Sequence, residues 1–211
     1  ADAVLVASGQ AAVATALLTV VGAGDHIVSS THIYEGTRGL FLDNLARLDI
    51  ETTFVDDIAD PQAWRAAIRP NTRALFAESL ANARNDVLDV RAISDIGDEF
   101  AIPLIVDNTL ATPALLRPLE HGAAIVVHSA SKFLAGHGSV LGGVIVDDGR
   151  FDADRAGHNA PHLVLPGRGD APSVFARHGG RARIAYARES VAPRFGASPS
   201  PLNAFLIGQG V

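Results

Sequence analysis

The residue with the clearest capacity for covalent chemistry is Lys132, the only lysine, set in His128-Ser129-Ala130-Ser131-Lys132-Phe133. A lysine amine forms a Schiff base with an aldehyde, and nearby hydroxyls and amides can hold a phosphate. Ser129 and Ser131 put two hydroxyls within three residues of that amine. The plainer reading is an exposed lysine in a serine-rich loop, and for an arbitrary lysine it would win. Position shifts the balance, because an apolar run leads into this segment. A second apolar run, Leu104-Ile105-Val106, ends on Asp107, 25 residues before Lys132. In open α/β sheets ligands bind outside the carboxyl ends of strands. A carboxylate there, followed by Asn108 and Thr109, is placed to meet a ligand, with a turn cap as its alternative use.

Three further segments add polar groups at similar junctions. Ser8-Gly9-Gln10 opens an Ala-rich segment, and a helix N-terminus leaves N–H groups free for an anion. Ser8 is equally a common N-cap. Tyr34, in His32-Ile33-Tyr34-Glu35-Gly36-Thr37, could stack on a planar ligand or serve as a hydrophobic staple. Glu78 and Asn82 follow the run 73–77 and could bond a ligand or cap the loop. The eight histidines form no His-x-x-x-His pair on a clear helix with a carboxylate partner, so no metal site is expected. There is no Walker A loop and no Gly-x-Ser-x-Gly elbow. Gly136-His137-Gly138-Ser139 and Gly142-Gly143 come after the lysine and suit tight turns better than phosphate.

The elements that must position these residues follow from periodicity. Helices are expected at 9–21, 34–48, 61–68, 90–100, 114–121 and 181–191, with another from 203 to 210. Short strands are expected at 26–30, 52–55, 73–78, 104–107, 123–128 and 142–146. Such alternation predicts an α/β fold, a mixed and mostly parallel sheet between helices. The stretch from 150 to about 180 is rich in Gly, Pro, His and Arg and is expected to be long loops.

Composition excludes several function classes. Seventeen basic against 23 acidic residues give a net charge of −6, the wrong sign for a nucleic-acid binder. Basic residues cluster only at Arg177, Arg181, Arg183 and Arg188. Without cysteine there is no disulfide, thiolate metal site or Cys nucleophile, and nothing argues for secretion. The longest apolar stretch, 11–21, is about half of the ~20 residues a membrane span needs. A chain of 211 residues with no Met, opening on Ala1, is expected to be part of a longer one; a bias against Met is the alternative.

In order, these segments form one series. It runs through Ser-Gly-Gln, Tyr-x-Gly-Thr, a Glu followed by Asn, Val-Asp-Asn-Thr-x-Ala-Thr-Pro and His-Ser-x-Ser-Lys-Phe-x-x-Gly-His-Gly. The series resembles the Cys/Met-metabolism (transsulfuration) family of pyridoxal-phosphate enzymes over residues 3–147, resuming at 200–210. Within that family, Gln10 and the Gly-His-Gly followed by Gly-Gly-Val-Ile-Val are most similar to the O-acetylhomoserine sulfhydrylases. The resemblance implies the large domain of the aspartate-aminotransferase-like, type I fold over 1–195, with 196–211 starting a linker helix. It implies pyridoxal 5'-phosphate held by Lys132, with Asp107 on the ring nitrogen, Tyr34 stacked on the ring and Asn82 on the ring hydroxyl. Gly9, Gln10, Ser129 and Ser131, with Ser8 beside them, would bind the phosphate; Thr109 and Glu78 would support the site. Lys132 and Tyr34 would be the catalytic pair. The implied reaction is γ-replacement on an O-acyl-homoserine by sulfide or a thiol, in a cytoplasmic homotetramer with shared active sites. A γ-lyase or cystathionine-forming synthase is the near alternative, and a non-catalytic binding relative the distant one. The family often has Gly-Asn-Pro where Ala81-Asn82-Ala83 stands, Phe at Leu110 and Thr at Ser131, all mild changes. The family's N-terminal Tyr-x-Arg arm and its C-terminal domain with a carboxylate-binding Arg have no counterpart in these residues, so both are expected to lie outside them.

Overall fold

The computed structural model describes residues 1–211. Seven strands form one sheet: β1 (Asp2–Val6), β2 (His26–Ser30), β3 (Glu51–Val55), β4 (Thr72–Glu78), β5 (Leu104–Asp107), β6 (Ile125–Ser129) and β7 (Gly143–Asp147). Their order is β1-β7-β6-β5-β4-β2-β3. The pairings β2·β3, β2·β4, β4·β5 and β5·β6 are parallel, and β7 alone runs against its neighbours β1 and β6. The carboxyl ends of the other six strands therefore share one rim of the sheet.

The helices are α1 (Gly9–Leu18), α2 (Glu35–Gly39), α3 (Pro61–Ala67), α4 (Val90–Glu99), α5 (Thr112–Leu115), α6 (Ala153–Ala156), α7 (Pro161–Val164), α8 (Val174–His178), α9 (Ala182–Tyr186), α10 (Ala192–Arg194) and α11 (Pro201–Gly208). Side chains alternate across the strands and build a core on each face. Phe76, Ile105 and Val127 pack with Val13 and Leu17 of α1 on one side. Leu75, Leu104 and Val106 pack with Trp64 of α3 and Ile93 and Ile96 of α4 on the other. Burying each such side chain stabilises the fold by about 1.5–3 kcal/mol. Caps fix the starts of the helices. Ser8 Oγ accepts Ala11 N–H at 3.1 Å, Asp60 accepts from Gln62, and Asp89 accepts from Ala92.

The mixed, mostly parallel sheet matches the expectation, and the differences are local. Strand β1 joins β7, although the helix-first pattern leaves Asp2–Val6 unassigned. The helix expected at 114–121 is broken: Leu116 is extended, and a 3-10 turn follows over Pro118–His121. Pro118 has no N–H to donate and pushes Arg117 out of the helical region. The segment 150–180 holds α6, α7 and α8, each too short to show a periodic apolar stripe. Three of the four clustered arginines are held in ion pairs. Arg183 Nε donates to Asp147 Oδ2 at 2.8 Å and its Nη2 to Asp148 Oδ1 at 2.6 Å, while Arg177 pairs with Glu189 and Arg188 with Asp2. No helix is long and apolar enough to cross a membrane.

Candidate cofactor and catalytic site

Five strand ends deliver the chemistry-bearing residues to the same rim. Strand β1 leads to Ser8, Gly9 and Gln10; β2 to Tyr34; β4 to Glu78 and Asn82; β5 to Asp107 and Thr109; β6 to Ser129, Ser131 and Lys132. These eleven residues, the full set expected from the sequence, line a single cavity of about 640 Å³.

The floor is hydrogen-bonded in series. Ser129 N–H donates to Thr109 Oγ1 at 2.8 Å, and Thr109 Oγ1 donates to Asp107 Oδ1 at 2.5 Å. Thr109 N–H adds a second bond to the same oxygen at 3.0 Å. Burial pushes the Asp107 carboxyl above the usual range, against the pull of these two bonds. Beside it, Asn108 is fully buried and ties the loop down, accepting from Ser79 Oγ at 2.7 Å and donating to Leu116 O at 2.8 Å.

Close backbone approach forms the wall opposite. A Cβ on Gly9 would lie 2.5 Å from Ser129 Cβ, so only glycine lets α1 meet the end of β6. The first amides of α1 have no intrahelical partner and lie beside Ser129. Gly143 meets Ser8 O just as tightly. Ser131 Oγ accepts Gly142 N–H at 3.0 Å and donates to Gly142 O at 3.2 Å, so the residue just before β7 shapes the loop that carries Lys132. Lys132 interrupts that turn with a non-helical ψ of −124°.

The Tyr34 turn closes the rim. The Tyr34 ring lies where a Gly36 side chain would stand, 2.5 Å from its ideal Cβ. Gln10 spans α1 and this turn, donating from Nε2 to Gly36 O at 3.3 Å and accepting from Thr37 Oγ1 at 3.5 Å. Glu78 is buried at 6% exposure. It accepts Tyr34 N–H on Oε1 at 2.6 Å and Asn82 N–H on Oε2 at 2.9 Å. Burial pushes its carboxyl up to about 7 against these two bonds, and Asp107 adds to the rise.

Sequence reasoning did not single out the apolar wall of Leu80, Leu110, Phe133 and Leu141, or the buried Thr37. Phe133 and Leu141 are largely exposed, a signal visible only once the fold is known. The Gly136–Gly138 loop joins them, and His137 ties it to α11 through Leu206 O at 3.2 Å.

This geometry suits a planar, phosphate-bearing aldehyde. Lys132 offers the amine, Asp107 an acceptor at the floor, and α1 with Ser129 an anion cradle. Comparison with known proteins points the same way. The family model described as Cys/Met metabolism PLP-dependent enzyme matches residues 1–211. The chain is 44% identical to an O-acetyl-L-homoserine sulfhydrylase of Corynebacterium glutamicum, covering 99% of this chain and 48% of that protein. It is 39% identical to a homocysteine synthase of Schizosaccharomyces pombe, covering 100% and 49%. Among solved structures, an O-acetylhomoserine sulfhydrylase of Wolinella succinogenes superposes with a TM-score of 0.85 at 35% identity, covering 99% and 55%. A cystathionine γ-lyase of Lactobacillus plantarum gives 0.75 at 29% identity, covering 100% and 46%. The chain thus spans about half the length of the curated relatives it matches. On its motifs, its sheet and this family match together, the chain belongs to the Cys/Met-metabolism family of pyridoxal-phosphate-dependent enzymes.

Proposed function

We propose that the protein containing this chain catalyses γ-replacement on an O-acyl-homoserine: O-acetyl-L-homoserine plus sulfide gives L-homocysteine plus acetate, a step of methionine biosynthesis. The Cγ–O bond to acetate breaks, and a Cγ–S bond to hydrosulfide forms. The observation that carries this reading is the convergence of all eleven residues on one cavity. The sulfhydrylase and homocysteine-synthase relatives, at 44% and 39% identity, support the choice of substrate.

The residues fit pyridoxal 5'-phosphate. The part-buried Asp107 carboxyl, pushed above the usual range by burial, would be favoured in its charged form by a cationic ring nitrogen. The close seat of Gly9 against Ser129 sets the first amides of α1 beside the Ser129 hydroxyl, where a phosphate would meet both. When bound, the cofactor supplies the aldehyde for Lys132 and a ring that withdraws electrons from the substrate's Cα. Lys132 Nζ would hold it and would move the proton at Cα. Asp107, oriented through the Thr109–Ser129 series, would keep the ring nitrogen protonated. The amides of Gly9 and Gln10 and the Ser129 hydroxyl would bind the phosphate; Ser131 would join them by turning its O–H away from Gly142 O. Tyr34 would cover the ring and assist departure of the leaving group, and Asn82 would meet the ring hydroxyl and the substrate carboxylate.

Within this reading, 1–195 form the cofactor-binding large domain, and 196–211 begin the link to a further domain. The working assembly is a cytoplasmic homotetramer, tested by light scattering and cell fractionation of the whole protein. Cystathionine γ-synthesis or γ-elimination is the second reading, favoured only by the likeness to the Lactobacillus plantarum enzyme. Assay of the whole protein on O-acetyl-homoserine, O-succinyl-homoserine, cystathionine and methionine decides. Sulfide-dependent homocysteine from O-acetyl-homoserine as the fastest reaction is expected; faster turnover of cystathionine or methionine overturns the reading.

A further inference from the structure

Glu78 lines the cavity, yet both of its oxygens are bonded to backbone. Oε1 accepts the amide of Tyr34 at 2.6 Å and Oε2 the amide of Asn82 at 2.9 Å. The two amides belong to loops that follow different strands, β2 and β4. We propose that Glu78 is a positioning residue whose single carboxylate ties the Tyr34 turn to the Asn82 loop, so that the two segments over the cofactor are held as one unit. The placement over the cofactor rests on the function proposed above; the tie itself does not.

Three observations support the tie. The same loops meet again at their outer edge. His32 Nδ1 lies 3.3 Å from Asp86 Oδ2, Arg84 Nε lies 3.2 Å from the same oxygen, and Arg84 Nη1 lies 3.2 Å from His32 Nε2. Leu80 and Val87 close the Asn82 loop with a β-bridge, so a pull at Asn82 moves the loop as a body. On its far side, the Tyr34 turn is held by Gln10 through Gly36 and Thr37. Glu78 is thus the inner tie of a unit fastened at three places.

The chemistry of the tie requires a carboxylate. Two backbone donors need two acceptors, and an ionised carboxylate provides both. Asp107 stands in register with Glu78 on the neighbouring strand, and Tyr34 and Lys132 share the cavity; these are the titratable groups around it. Burial and Asp107 raise the Glu78 carboxyl to about 7, while the two amides oppose that rise. Protonation leaves one good acceptor and loosens one bond.

Glu78→Gln separates positioning from space-filling. It preserves side-chain volume but turns one acceptor into an NH₂ that faces a backbone N–H. The test uses the whole protein loaded with pyridoxal 5'-phosphate. The expected result is exchange of the Tyr34 or Asn82 amide about tenfold faster than in the parent, as the loss of one hydrogen bond implies. The visible circular-dichroism band of the bound cofactor should shrink, with exchange at Phe76 and Ile105 unchanged. Parent-like exchange at both amides would reduce Glu78 to a space-filler and overturn the proposal. If the variant fails to fold, the parent protein decides by NMR. The Tyr34 and Asn82 amide protons should shift together on one titration, and separate midpoints or no shift would refute the tie. If the parent binds no pyridoxal 5'-phosphate, the proposed function fails, while the amide measurements still decide the tie.

Discussion

Gly9→Ala puts the close approach of α1 to β6 to the test. An ideal Cβ at Gly9 would lie 2.5 Å from Ser129 Cβ, 2.8 Å from Ser129 Oγ and 2.9 Å from Ser129 Cα. Carbon atoms in ordinary contact are about 3.5 Å apart or more, so the first turn of α1 must retreat from β6 by about 1 Å. Overpacking of this kind costs about 1–3 kcal/mol of folding stability. The same retreat moves the amides of Gly9 and Gln10 off the phosphate position. Weakening one or two charge-assisted bonds of about 1.5–3 kcal/mol each should cost roughly ten- to a hundredfold in cofactor affinity. Helix propensity alone predicts the opposite sign, because alanine is favoured over glycine by up to about 1 kcal/mol. Urea unfolding of the apo-protein and titration with pyridoxal 5'-phosphate read the two effects. Adding Ser129→Gly removes the Cβ and Oγ contacts and leaves the one at 2.9 Å, so the pair should recover part of the lost stability. A more stable Gly9→Ala variant with unchanged cofactor affinity would refute the reasoning.

Two further predictions concern the scaffold. Arg183→Met leaves Asp147, which is 1% exposed, without its buried partner and should cost about 3–5 kcal/mol in urea unfolding. Asp147→Asn in the same chain should restore a large part, and additive losses would refute the pairing. His26 is fully buried between Thr72 and Thr53 hydroxyls, each at 2.8 Å, and burial lowers its pKa from 6.5 to about 4. The unfolded chain takes up this proton below pH 6.5 and the folded one only near 4, so His26 withdraws stability as pH falls through that window. In His26→Gln the loss of stability between those two pH values should be smaller by up to about 3 kcal/mol than in the parent. Identical slopes would show that His26 does not stay neutral in the fold.

Much of the site was legible because strand ends are. Apolar runs that stop on Asp107, Glu78 and Ser129 mark where side chains leave the sheet, and parallel order carries them to one rim. Side-chain partners were less legible. Glu78 read as a ligand contact or a loop cap, and its bonds to Tyr34 and Asn82 depend on how the loops after β2 and β4 meet. The hydroxyl of Ser131 read as a phosphate ligand, and its bonds to Gly142 depend on β7 running antiparallel beside β6. Strand β1 was hidden because five residues at a chain start carry little period, and its place beside β7 is set by tertiary pairing alone. Helices α6 to α8 hold four or five residues each, shorter than the pattern that reveals a helix.

The account turns on Lys132 as the residue that carries the cofactor. Borohydride reduction of the whole protein loaded with pyridoxal 5'-phosphate, followed by peptide mass spectrometry, tests this most directly. The account predicts a phosphopyridoxyl adduct on the peptide containing Lys132, the only lysine of these residues, with its loss and that of the visible absorption band in Lys132→Ala. An adduct on another amine, or none while the visible band is present, would contradict it.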